Sequence, residues 1–176
     1  YETTADRKFI QNAMSLMEGA RTRYVAPDGG FYDGVSDENM PPATQIRHKP
    51  LDDNMLAVKV YGRLYNYTAD SAYLMVAAST LLPFEQKVQD LLSKDLGFFA
   101  ADYVAAARYA AEGSTKVAIV GRRGDERSRE LLHEAKRLYR PAKIVQLIDP
   151  EEDKAIIEAM NYPVDREMPV VHVCTE

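Results

Sequence analysis

Ala100-Ala101-Asp102-Tyr103-Val104-Ala105-Ala106-Ala107-Arg108-Tyr109-Ala110-Ala111 and, shortly after, Lys116-Val117-Ala118-Ile119-Val120-Gly121 are the stretches between which the hydrophobic period changes. The first is Ala-rich and reads as a helix whose small side chains let a neighbouring helix approach closely. The second is a short apolar run with β-branched residues, bounded by Gly113 and Gly121, which reads as a buried strand. The change divides the chain into a helical segment, residues 1–112, and a small α/β unit, residues 113–176.

Downstream of the change, residues 125–140 place Leu131, Leu132, Ala135, Leu138 and Tyr139 on one helical face, and Pro141 follows the end. Residues 143–148 form a second apolar run. Residues 151–160 suit a short helix, with Glu151, Glu152 and Asp153 favourably placed at its positive end. Residues 170–174 form a third apolar run. Strand alternating with helix predicts a three-stranded parallel βαβαβ unit with right-handed crossovers.

Upstream, Phe9, Ile10, Ala13, Leu16, Met17, Ala20 and Tyr24 make one face of a helix over 4–24, which Pro27-Asp28-Gly29-Gly30 breaks. Phe31-Tyr32-Asp33 reads as a short extended piece. Residues 34–50 have no period and read as a long loop, a form often tied to function. Asp52 or Asp53 can cap a helix carrying Leu56, Val60, Leu64 and Tyr67. Thr68 to Ser71 joins it to a second helix carrying Tyr73, Val76, Ala77, Leu81 and Phe84, and the short link predicts an antiparallel pair. Pro83 ends or kinks that second helix. Further helical stretches cover 85–96 and 98–111, divided near Gly97.

Of the 176 residues 46% are hydrophobic and 28% charged, enough apolar material to build a globular core. The net charge of −5 argues against nucleic acid as a partner, because phosphate neutralisation requires a basic face. No apolar run approaches the roughly 20 residues a membrane helix needs. A single cysteine permits no internal disulfide and suits a reducing compartment, so a cytoplasmic location is expected. The chain opens on Tyr1 and closes just after an apolar run, and it reads as the C-terminal piece of a larger protein.

Several residue groups could carry chemistry. Gly121-Arg122-Arg123-Gly124-Asp125 lies where strand passes to helix. Backbone N–H groups, the helix dipole and two guanidiniums could there receive an anion on Arg122, Arg123 and Gly124. It lacks both the GxGxxG pattern and the Walker lysine, so an ordinary turn capped by Asp125 is the competing reading. Asp33, Asp37, Glu38, Asp52 and Asp53 gather carboxylates around the long loop, the groups a glycosidase uses, but solvation, with Asp52 and Asp53 at a helix start, is the favoured reading. His48, His133 and His172 show no metal-ligand spacing, so no metal site is expected, and no motif asks for a cofactor. Cys174 has no C-x-x-C partner. Tyr61, Tyr65, Tyr67 and Tyr73 crowd one helix pair, where rings serve packing or sugar stacking.

The order Gly29-Gly30-Phe31-Tyr32-Asp33, Lys49-Pro50-Leu51-Asp52-Asp53-Asn54, then Leu64-Tyr65-Asn66-Tyr67-Thr68-Ala69-Asp70-Ser71-Ala72-Tyr73 resembles the C-terminal part of the thioredoxin-domain-containing YyaL and spermatogenesis-associated protein 20 family. The Lys116 to Gly121 strand, Arg140-Pro141 and Val173-Cys174 extend that resemblance over most of the chain.

It implies a thioredoxin-like domain elsewhere in the full-length protein, and helical hairpins forming part of an (α/α) six-hairpin toroid like that of glycosidases and N-acylglucosamine epimerases. It further implies a second cysteine following Cys174, giving that residue a redox role. Toroid enzymes hold substrate at the N-termini of inner helices. The resemblance therefore nominates Asp52 and Asp53 as catalytic acids, with Asp33, Asn54 and Tyr32 as carbohydrate contacts. The Ser-Gly-Asn stretch common after the Asp-Asn pair is replaced by Met55-Leu56-Ala57.

Three functions stand side by side: a non-catalytic scaffold or binding module, a carbohydrate-active hydrolase or epimerase domain, and an anion- or nucleotide-binding α/β unit. Five helices cannot close a ring that needs about twelve in the family pattern, so open apolar faces and self-association into a homo-oligomer are also expected.

Overall fold

In the computed structural model the described residues are 1–35, 37, 39–42, 45–111, 114–140, 142–164 and 167–175, the side chains of Phe99 and Thr175 excepted. Glu38, Gly113 and Pro141, named above, lie outside them. The elements run α1 Lys8–Tyr24, α2 Leu51–Thr68, α3 Ser71–Leu81, α4 Glu85–Ser93, α5 Ala101–Ala110, β1 Thr115–Val120, α6 Glu126–Arg137, β2 Ile144–Ile148, α7 Lys154–Met160 and β3 Val170–Thr175. Short 3-10 turns at Leu82–Phe84 and Gly97–Ala100 precede α4 and α5, the first holding Pro83.

The helical part is built on α2. Ala69 takes the left-handed conformation that ends it, and the Asp70 carboxylate caps α3 by accepting the Ala72 N–H at 2.9 Å. Phe31, Met55, Val58, Tyr61, Ala77, Phe84 and Ala106 form one buried core where α2, α3 and α5 meet. The Ala-rich helix does approach closely: a Cβ on Gly62 would lie 2.5 Å from the Tyr109 carbonyl oxygen. This is a compact cluster, and nothing in its arrangement draws a ring. Leu16, Leu56, Met75, Leu82, Leu92 and Val104 remain exposed on its outside.

The α/β unit holds a three-stranded sheet in the order β2-β1-β3. One face, with Val117, Ile119, Val145 and Leu147, packs under Leu131, Leu132 and Ala135 of α6. The other, with Ala118, Val120 and Ile148, packs against Tyr162, Ile156, Ile157 and Met160. On that second face the C-terminal end of α2 docks: Lys116 Nζ donates to the Asn66 carbonyl and Gln146 Nε2 to that of Tyr67.

The sheet is mixed, which corrects the parallel βαβαβ expectation. β1 and β2 are parallel, but β3 runs antiparallel to β1, with Val117 opposite Val173 and Val120 opposite Val170. The short α7 covers only part of the return that a parallel β3 would need. Seven residues advance about 10 Å along a helix axis, half of the about 20 Å that a six-residue strand covers. Asn161, in the left-handed conformation, then ends the helix. The chain never returns to the far end of the sheet, so β3 starts where β1 finishes, with Pro169 against Gly121.

The division at residue 112 also has an exception at the amino end. Helix α1 starts at Lys8, and residues before it lie on the α/β unit. Ala5 joins the core beneath α6. The Tyr1 hydroxyl donates to the Leu147 carbonyl at 2.9 Å, and the Glu2 carboxylate accepts the Val145 N–H at 3.2 Å. These side chains satisfy backbone groups on the outer edge of β2. Glu2 also pairs with Arg63 at 2.7 Å and accepts the Tyr67 hydroxyl, tying the two parts together.

Candidate functional site

The motif residues around the long loop do converge, and they converge on backbone. After α1 the chain reverses through Gly29 and Gly30, with φ of +92° and +72°, conformations glycine adopts without a Cβ penalty. A Cβ on Gly29 would lie 2.4 Å from the Ser79 carbonyl oxygen, and one on Gly30 would lie 2.9 Å from Asn54 Oδ1. The reversal brings Phe31 across from Val25 as an isolated antiparallel bridge.

Asn54, fully buried in the first turn of α2, treats Phe31 as a strand partner. Its Oδ1 accepts the Phe31 N–H at 2.7 Å, and its Nδ2 donates to the Phe31 carbonyl at 3.0 Å and to that of Pro50 at 2.7 Å. Both ends of the amide are engaged in the fold.

The neighbouring residues close the same knot. Asp33 Oδ1 accepts the His48 N–H at 2.9 Å, and the Asp33 N–H donates to the His48 carbonyl at 2.9 Å, fastening the two ends of the loop. Lys49 Nζ donates to Asp28 at 2.7 Å and to the Gly29 carbonyl at 3.2 Å. Tyr32 lies under the Arg47 guanidinium, 4.0 Å from ring to cation. Asp52 and Asp53 stand exposed in the first turn of α2 without capping it. Pro50 holds the cap position, and the carboxylates sit where the helix dipole favours them. The carbohydrate set is thus split: Asn54 is buried in the fold, Asp33 is exposed with its Oδ1 holding the loop, and Asp52 and Asp53 face solvent.

The turn after β1 follows the ordinary-turn reading in detail. Asp125 caps α6, accepting the Ser128 N–H and hydroxyl at 3.0 Å each, and these bonds hold its carboxyl below the usual range. Arg123 bends back onto Glu152 and Asp153, the latter buried. Arg122 pairs with Glu151 at 3.0 Å. Asp149, at the end of β2, accepts the N–H groups of Arg123 at 2.9 Å and Glu151 at 3.0 Å. Burial alone would push its carboxyl up, but these bonds and the Arg123 charge outweigh that and hold it low.

An anion at Arg122, Arg123 and Gly124 would therefore meet five carboxylates around two guanidiniums that already have partners. Glu151 and Glu152 also miss the helix start expected for them. α7 begins at Lys154, and Asp153 uses its carboxylate to accept the Asp149 N–H at 2.9 Å.

Cys174 is exposed on β3, and His172, two positions before it on the same face, lies 5.3 Å from the Tyr162 ring, centroid to centroid. Among the described residues no group of three or more His, Cys, Asp and Glu side chains could hold a metal ion. No helix among them is long and apolar enough to cross a membrane.

Sequence reasoning missed a groove of about 650 Å³ between α6 and β3, lined by Val117, Leu131, Leu138, Tyr139, Val171 and Val173 with Arg140 and Lys143 at its lip. The available signal was the alternation in Val171-His172-Val173-Cys174, a half-exposed strand, against the unbroken burial of Ile144 to Ile148. Comparison with family models, with curated proteins and with solved structures finds no match.

Proposed function

We propose that the chain is a non-catalytic scaffold or binding module, the C-terminal part of a cytoplasmic protein that carries a thioredoxin-like domain elsewhere. The observation that carries this reading is the engagement of Asn54. An amide buried with both ends bonded to Phe31 and Pro50 is committed to holding a turn, and it sits at the centre of the motif that nominated a sugar site. Asp33, Arg122 and Arg123 point the same way, each bonded within the fold. The exposed side chains Leu16, Leu56, Met75 and Val104 support a further part of the proposal: the helices are hairpins that pack on additional helices of a larger (α/α) assembly or on another copy.

The test offers the purified protein a panel of oligosaccharides and amino sugars, following product by chromatography and binding by calorimetry. Neither product nor heat is expected. Product formed by the wild type and lost in Asp52→Asn or Asp53→Asn would overturn the reading.

A further inference from the structure

The two edges of the sheet differ. The outer edge of β2 is covered, with the Glu2 carboxylate on the Val145 N–H and the Tyr1 hydroxyl on the Leu147 carbonyl. The outer edge of β3 has no such cover: among the described residues its backbone bonds only to β1. Every second residue of an edge strand aims its N–H and C=O outward, and proteins commonly blunt such an edge with lysine, proline or a bulge. From Val170 to Thr175 this strand has no charged residue and no proline.

Beside the open edge lies the groove. Val171 and Val173 stand opposite Ile119 and Val117, so they face the α6 side of the sheet, yet α6 covers β1 and β2 and leaves them 40% and 62% exposed. Leu138 and Tyr139, the latter 90% exposed, form the far wall. The lip is cationic. Among the described residues Glu134 is the one carboxylate of the lining and is paired with Arg137 at 3.0 Å, so that neither Arg140 nor Lys143 meets a carboxylate there, in a chain whose net charge is −5. Lys143 is fixed there by donating to the Ala135 and Leu138 carbonyls.

We propose that the outer edge of β3 receives an extended segment of another protein, apolar at alternate positions and acidic at the end that lies beside Arg140 and Lys143. Backbone pairing would extend the sheet by one strand, alternate side chains would fill the groove, and the carboxylates would meet the lip. A second copy of this chain is the competing occupant, because Val170 to Thr175 contains no carboxylate itself but is flanked by Glu167 and Glu176, and sedimentation separates the two. The inference rests on the binding-module reading and gives it a surface and a partner chemistry.

Fluorescence anisotropy tests it with a labelled, acetylated peptide of two glutamates followed by three valine–threonine repeats, and a control peptide with lysines for the glutamates. The glutamate peptide is expected to bind at least ten-fold more tightly than the control. Arg140→Glu should reverse that order. Val173→Lys should abolish binding of both while circular dichroism stays unchanged. Equal binding of the two peptides, or binding of neither, would overturn the proposal. So would a dimer in sedimentation that Val173→Lys dissolves, which would assign the edge to a second copy. A failure of this kind leaves the sugar-turnover assay unmoved, so it is distinguishable from a failure of the module reading.

Discussion

The reversal at Gly29 to Phe31 and the strand from Val170 to Thr175 are both short extended pieces on the rim of a core, and they resolve their backbone chemistry in opposite ways. At the first, no neighbouring strand is present on the α2 side, and the Asn54 amide supplies the missing donor and acceptor from inside a helix. At the second, one side is a full antiparallel ladder and the other is open among the described residues. The backbone of the Gly29 to Phe31 reversal is therefore closed upon itself, and the plain apolar strand is the one with backbone bonding capacity left over. Polar residues clustered in sequence are a guide to chemistry only where their atoms are still free.

Substitutions can break or sharpen that contrast. Asn54→Ala should have the largest effect, about 3–5 kcal/mol of unfolding free energy in urea, because it strands the buried Phe31 N–H and carbonyl in addition to removing three bonds. A loss below about 1 kcal/mol would mean that water replaces the amide and the knot is not closed. Gly30→Ala should cost about 2–3 kcal/mol, combining a left-handed conformation with a Cβ set 2.9 Å from the oxygen of an amide that three bonds hold in place.

Asp149→Asn should cost about 1–2 kcal/mol at neutral pH. Its carboxyl is held low in the folded state, so its contribution is complete above the unfolded value of about 4 and is lost as pH falls through the lower folded value. Stability measured from pH 7 downward should fall below about pH 4 in the wild type and fall less in the variant. The smallest effects are expected on exposed groups. Val173→Lys and Asp53→Ala should each stay within about 0.5 kcal/mol, the first while removing peptide binding. A large loss for Asp53→Ala would move that carboxylate into the closed region.

Periodicity is local, and what it governs was legible in the sequence. The helix Leu51–Thr68, the capping of α6 by Asp125 and the switch at Lys116 all stand in the structure, although α2 buries Met55, Val58 and Tyr61 and leaves Leu56 of the expected stripe exposed. The direction of β3 was not legible from strand–helix alternation, because it depends on which end of the sheet the chain re-enters after α7, and alternation does not encode that. Val171 and Val173 were read as apolar without attention to the His172 and Cys174 between them, whose alternation marks an exposed edge. The bonding of the candidate residues was illegible for a different reason. Asn54 bonds to Phe31 across 23 positions, Arg123 to Asp153 across 30 and Glu2 to Val145 across 143, and no local pattern encodes such pairings. The one local hint was a Gly-Gly turn followed by an Asn in a first helical turn, a combination suited to a backbone clamp.

Native-state hydrogen exchange followed residue by residue addresses both regions in one experiment. The account predicts that the Phe31 amide exchanges only through global unfolding, while every second amide along β3 exchanges nearly as fast as in an unfolded chain and slows when the acidic peptide is added. Rapid exchange at Phe31, or uniform protection along β3 in the free protein, would contradict it.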